Sequence, residues 1–220
     1  MGTVSNLNLD KEAMIRQLTE NLAGANGERW LVEARKFLCG DPCWRGGNGR
    51  EVKEPNLEFG SAFTVPARGD IFVALEHFVR RTDPAAPVKI DRISRSFRVW
   101  FLEEGGKIEP PAGEIRIACH GFKHFEEDNL IISELGGDER AETTLALVYF
   151  LLTRQPSGEE GLLCTNGWAN IFRVRDRKGV IRTIHVVWEG DGWDVHAHPS
   201  SNSHQWRDLR RIFSRHDVCR

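Results

Sequence analysis

From Gly167 to Ala197 the chain reads GWANIFRVRDRKGVIRTIHVVWEGDGWDVHA, and the alternation of apolar with polar side chains along it decides the fold class. The spacing predicts three strands, over 168–176, 180–189 and 193–198. They are joined by Arg177-Lys178-Gly179 and by Glu189-Gly190-Asp191-Gly192, both with hairpin turn chemistry. With Gly179 left-handed and Trp188 opposite Trp193, one face of this antiparallel meander collects Phe172, Val174, Ile184, Val186, Trp188, Trp193, Val195 and Ala197, a side built to be buried. The other face holds Arg173, Arg175, Thr183, His185, Asp194, His196 and His198, with His185 directly across from His196. A one-residue slip in the first hairpin would move both arginines to the core side, whereas the three histidines depend only on the second hairpin.

That second face admits three chemistries. Imidazoles on directly opposed residues lie within about 5 Å at Cβ, so His185, His196 and His198 can converge on zinc or another first-row divalent metal. Asp194 then serves as a further ligand or fixes a ring tautomer, and the protein is a small, hydrolase-like metal-dependent enzyme. Alternatively, Arg173, Arg175 and the histidines hold an anion. Together with Arg207, Arg210 and Arg211 of the tail, the same arginines would contact a nucleic-acid backbone. The plainest reading is a solvated face, because a sheet with one side on a core shows polar residues on the other.

Outward from the meander, the period changes to that of helices. Asp10 caps a helix with Leu9 and Met14 as a hydrophobic staple, and Met14, Leu18 and Leu22 share its face up to Gly24. Trp30, Leu31, Ala34, Phe37 and Leu38 predict a second helix ending at Gly40, so the two form a helical hairpin. Cys39 to Arg68 lacks a period and reads as a long loop or linker. Within it, the Cys39 and Cys43 pair has no second metal-ligand pair nearby, and Trp44 to Arg50 is a flexible basic loop without the Lys-Ser/Thr ending of a phosphate-binding loop. Asp70 caps a third helix carrying Ile71, Phe72, Leu75, Phe78 and Val79, stopped by Pro84.

Phe97, Val99 and Phe101 then alternate as a strand, as do Ile115, Ile117 and Cys119, with Leu130 to Leu135 as a third. Cys119-His120 with His124 has the residue types of a nucleophilic site, but adjacent strand residues point apart, and Cys119 fits the buried side. Asp138 to Gln155 predicts a helix apolar on more than one side. Gln205 to Arg220 carries five Arg against two Asp, with Trp206, Leu209, Ile212 and Phe213 at helical spacing, and reads as a basic amphipathic helix docked on the core.

The run Gly167 to Ala197, followed by RRIFSRH at Arg210 to His216, resembles the C-terminal segment of a set of uncharacterised proteins from candidate-phylum bacterial genomes. The resemblance covers about a fifth of the chain, implies a bacterial origin, and carries no activity with it.

Composition bounds the rest. In 220 residues, 40% are hydrophobic and 28% charged, which is the range of an ordinary globular protein. A net charge of −2 excludes a surface built as a whole to hold nucleic acid or acidic lipid. Five dispersed cysteines suit a reducing cytoplasm better than a disulfide framework, and neither a signal peptide nor a membrane span is read. These readings combine into an α+β fold: an N-terminal helical hairpin and helices packed on antiparallel strands, ending in the three-stranded meander. The chain reads as one domain over 1–220, with a subdivision into a helical 1–82 and an α+β 88–220 that contains the meander at 168–198. With no catalytic signature complete, the expectation is a non-catalytic cytoplasmic binding or interaction protein, its partner another protein or a second copy.

Overall fold

The computed structural model of the protein describes residues 15–16, 18–24, 27–38, 55–123, 128–200 and 210–216. The chain divides into two compact units, Met1–Glu54 with Cys219–Arg220, and Pro55–Val218. In the first, residues 15–16 and 18–23 are helical, and helix α1 spans Gly27–Leu38. Glu28 in its first turn complements the positive helix end. Of the expected seam, Trp30 and Ala34 are partly buried while Leu31 is exposed. Leu9, Asp10, Met14, Cys39, Cys43 and the loop Trp44 to Arg50 lie outside the described residues.

The second unit is mixed α+β around one large sheet. Its strands are β1 (Leu57–Val65), β3 (Ile90–Ile93), β5 (Ile115–Phe122), β6 (Glu142–Thr143), β7 (Asn170–Arg175), β8 (Ile181–Trp188), β9 (Trp193–Pro199) and β10 (Arg211–Arg215), and a separate ribbon pairs β2 (Phe72–Val73) with β4 (Ile108–Glu109). The large sheet runs β1-β5-β10-β7-β8-β9-β3, with β6 on β7. It is not purely antiparallel: β10 and β6 both run parallel to β7, and β3 runs parallel to β9. β7, β8 and β9 pair antiparallel in chain order, with Arg173 opposite Thr183, His185 opposite His196 and Trp188 opposite Trp193. Gly179 is left-handed, as the tight first turn requires. Asp176 holds that turn, its carboxylate accepting the Lys178 and Val180 N–H groups and Arg182 Nε.

Alternation puts Phe172, Val174, Ile184, Val186, Trp193, Val195 and Ala197 in the main core, together with Ile117, Cys119 and Phe213. A second, smaller core lies on the opposite side and contains Leu57, Phe122, Ile131, Ile171 and Ile212. β7 is therefore buried on both faces, as a central strand is.

Six expectations are corrected. The tail is not helical at Arg211–Arg215; it is strand β10, and its period of two sends Ile212 and Phe213 to opposite cores. Phe213 stacks on Phe172 with ring centroids 4.7 Å apart. The loop ending at Arg68 contains β1, whose alternation is hidden by a bulge at Gly60 that moves Phe59 to the His120 side and Phe63 to the Phe213 side. Asp70 opens no long helix: Phe72–Val73 is strand and α2 is only Ala74–His77.

Phe97 to Phe101 is not strand but helix α3 (Arg95–Phe97) running into a π-helical turn, Arg98–Leu102. Ser94 caps it, accepting the Phe97 N–H at 3.2 Å, and spacings of two and four both bury Phe97 and Phe101. Leu130 to Leu135 falls largely in helix α4 (Asp128–Glu134), whose Glu134 carboxylate ties down β1 through the Asn56 and Leu57 N–H groups.

The helix expected over 138–155 is divided into α5 (Asp138–Ala141) and α6 (Leu145–Arg154) by the two residues of β6. Thr144 caps α6 by accepting the Leu147 N–H. The buried Glu109 carboxylate accepts the Leu145 and Ala146 N–H groups, each at 2.9 Å, meeting the positive helix end with a negative charge.

Candidate functional site

Residues 171, 173 and 175 of β7 alternate onto one face with Thr183 and His185 of β8, Asp194, His196 and His198 of β9, and Arg92 of β3, which pairs with Asp194. The His185 and His198 rings lie 4.7 Å apart between centroids, and those of His196 and His198 6.4 Å apart. Asp194 is 1% exposed. Its Oδ2 lies 3.1 Å from an Arg92 guanidinium nitrogen and 3.8 Å from His196 Nε2. Burial pushes the Asp194 carboxyl above its ordinary range, and Arg92 opposes that shift. Among the described residues, Asp194 Oδ1 and Thr183 Oγ1 are buried without a hydrogen-bond partner, and no group of three or more His, Cys, Asp or Glu has the geometry to hold a metal ion.

Among the described residues, the arginines do not gather into one cationic patch. Arg173 is 5% exposed and pairs with Asp138 at 2.9 Å, at the start of α5. Arg175 pairs with Glu142 and donates to the Gly179 carbonyl. Arg211 donates to the Gly161 and Leu162 carbonyls, Arg210 is partly buried, and Arg207 lies outside the described residues. Cys119 sits in the main core with its thiol pushed up to about 11 by burial, so it is protonated and inert near neutrality. His120 pairs across from Ile212 on the opposite face of the sheet.

Two concave features were not foreseen. Leu75, Phe78, Val79, Arg80, Asp91, Arg92, Ile93, Arg98 and Leu102 line a groove of about 510 Å³. Leu75 and Val79 are 50% and 45% exposed there. Asp91 is paired with Arg80 at 3.2 Å and Arg92 with the buried Asp194, so the groove's basic excess comes from Arg98. Ile71 and Ile108 are also exposed, 61% and 60%, and Ile108 stands opposite Val73 in the β2–β4 ribbon. The sequence signal was present in the third apolar periodicity: residues placed at helical spacing without a long helix to bury them have to face something else.

The second feature is a pocket of about 470 Å³ between the end of β1, the stretch from β4 to Ala112, and α6. No local pattern announces it, since its walls come from segments far apart in the chain.

Comparison with protein-family models, curated proteins and solved structures finds no match. No helix among the described residues is long and apolar enough to cross a membrane.

Proposed function

We propose that this chain is a non-catalytic binding protein that docks an acidic, partly apolar protein segment in the groove between α2 and β3. The observation that carries this reading is the pair Leu75 and Val79, half exposed inside a concavity with three arginines and one aspartate. An apolar patch with a basic rim suits side chains such as Leu or Phe flanked by carboxylates, the apolar contacts giving affinity and the charges orientation. A reducing cytoplasm suits the buried thiol of Cys119.

The test is fluorescence anisotropy with a labelled peptide of alternating Leu and Glu. Binding should fall about tenfold or more in Val79→Asp and in Arg98→Glu. A labelled oligonucleotide of equal charge binding more tightly, with a steep salt dependence, would favour the nucleic-acid reading instead. Light scattering that finds a dimer lost in Val79→Asp would make the occupant a second copy.

The buried Asp194 beside His196 keeps a second reading in play, a metal-dependent enzyme using His185, His196, His198 and Asp194. Here Arg92 already supplies a positive charge to the carboxylate, which a metal would have to displace. Stoichiometric zinc in untagged protein, absent from a His196→Ala/His198→Ala variant, would establish the metal reading.

A further inference from the structure

The pocket between β1, β4 and α6 is separate chemistry from the groove. Its apolar walls include Val65, Ile108, Ile115, Leu147 and Phe150, and Pro66, Pro110 and Pro111 add rigid surface with no N–H to satisfy. Nearly every polar group on the wall is already engaged. Glu109 is spent on the α6 N-terminus and lies 3.9 Å from Lys107. Glu142 pairs with Arg175 at 2.9 Å, Thr143 donates to the Arg173 carbonyl, and Thr144 caps α6.

Arg68 is the exception. Its backbone bridges to Ala112 in both directions, its Nη2 donates to the Pro110 carbonyl at 2.6 Å, and its guanidinium lies over the Phe72 ring at 5.4 Å. Among the described residues, its Nε and Nη1 are buried with no hydrogen-bond partner and no carboxylate pairs with it. A guanidinium always carries its charge, so these donors are an uncompensated cost that an acidic oxygen would remove.

We propose that this pocket binds a small molecule with an apolar body and one acidic group, the body against Ile115, Leu147 and Phe150 and the acid on Arg68. Nε and Nη1 are covered by protein, so engaging them turns the guanidinium away from the Pro110 carbonyl and the more distant Glu109 carbonyl, exchanging neutral acceptors for a charged one. The volume lies in the range of small-molecule sites, and a chain of about ten carbons fits it.

The test is calorimetric titration of the full chain with decanoate and, separately, decanol, with circular dichroism as a folding control. Decanoate should bind one to one, and decanol roughly tenfold or more weakly, the worth of one hydrogen-bonded charge. Arg68→Met should bring decanoate down to the level of decanol while leaving decanol unchanged. Ala146→Phe, which fills the pocket, should abolish both. Ala112→Trp on the exposed lip does the same without touching the core, and so serves if the Phe variant does not fold. Equal binding of decanol and decanoate to the wild type, no binding of decanoate at all, or decanoate binding that survives the pocket substitution in a folded variant would each overturn the proposal.

Discussion

Asp176 is a buried carboxylate whose three donors close the β7–β8 turn. Burial pushes its pKa up, but the hydrogen bonds from Val180, Arg182 and Lys178 win and hold it below the ordinary carboxylate range. Stability from this group is therefore complete above that range and is lost as pH falls through the folded value. Asp176→Asn should cost about 2 kcal/mol in denaturant unfolding at neutral pH, and the gap to wild type should narrow in acid. His120 acts in a different window. Burial, with a smaller contribution from His216, lowers its pKa from 6.5 to about 4, so the folded imidazole is neutral where the unfolded one takes a proton. Stability should fall as pH drops from 6.5 toward 4, by about 3 kcal/mol at most from this residue. A stability–pH curve for His120→Asn should be flatter there; an identical shape would put the acid sensitivity in other groups.

Among the elements, β10 holds two cores together. Phe213→Ala removes a fully buried ring from between Phe172 and Phe63 and should cost about 3–5 kcal/mol, measured by urea unfolding. Had Arg211–Arg215 been a surface helix with its apolar stripe docked, Ile212 and Phe213 would have served one core rather than two. The residues themselves explain what could be read. Alternation through 170–197 is unbroken and its turns carry Gly at fixed places, so the facing pairs His185–His196 and Trp188–Trp193 follow from period alone. In β1 the bulge at Gly60 reverses the alternation halfway, and in β10 five residues are too few for the period of two to outweigh the helical spacing seen from Trp206 onward. Ser94 was a usable cap signal before Phe97, yet apolar residues two and four apart satisfy both periods. The candidate site was legible only in part: β9 and β8 place the histidines, but Arg92, which pairs with Asp194, arrives on a strand about a hundred residues earlier in the chain. Helix α6 offers a further check. Glu109→Gln keeps its shape and loses its charge, and should lower stability by about 1–2 kcal/mol in urea unfolding at neutral pH.

In the whole of the second unit, the pairings that define the sheet are mostly non-local. His120 pairs with Ile212, and Ile93 with Val195. Such topology predicts refolding on the millisecond-to-second scale rather than microseconds, to be measured by stopped-flow tryptophan fluorescence. It also predicts that a chain stopped at Arg210 loses cooperative thermal unfolding, because β5 would be left with an unpaired inner edge and β7 with one that only β6 still covers in part. Vectorial synthesis gives that wedge a further meaning. As the polypeptide leaves the ribosome, β5 and β7 emerge well before the strand that belongs between them, and for that interval each offers an unsatisfied backbone ladder to any neighbouring nascent chain. The last strand of the sheet thus sets when the protein becomes safe from its own copies, and quality-control factors that shield extended segments would act on it during that wait.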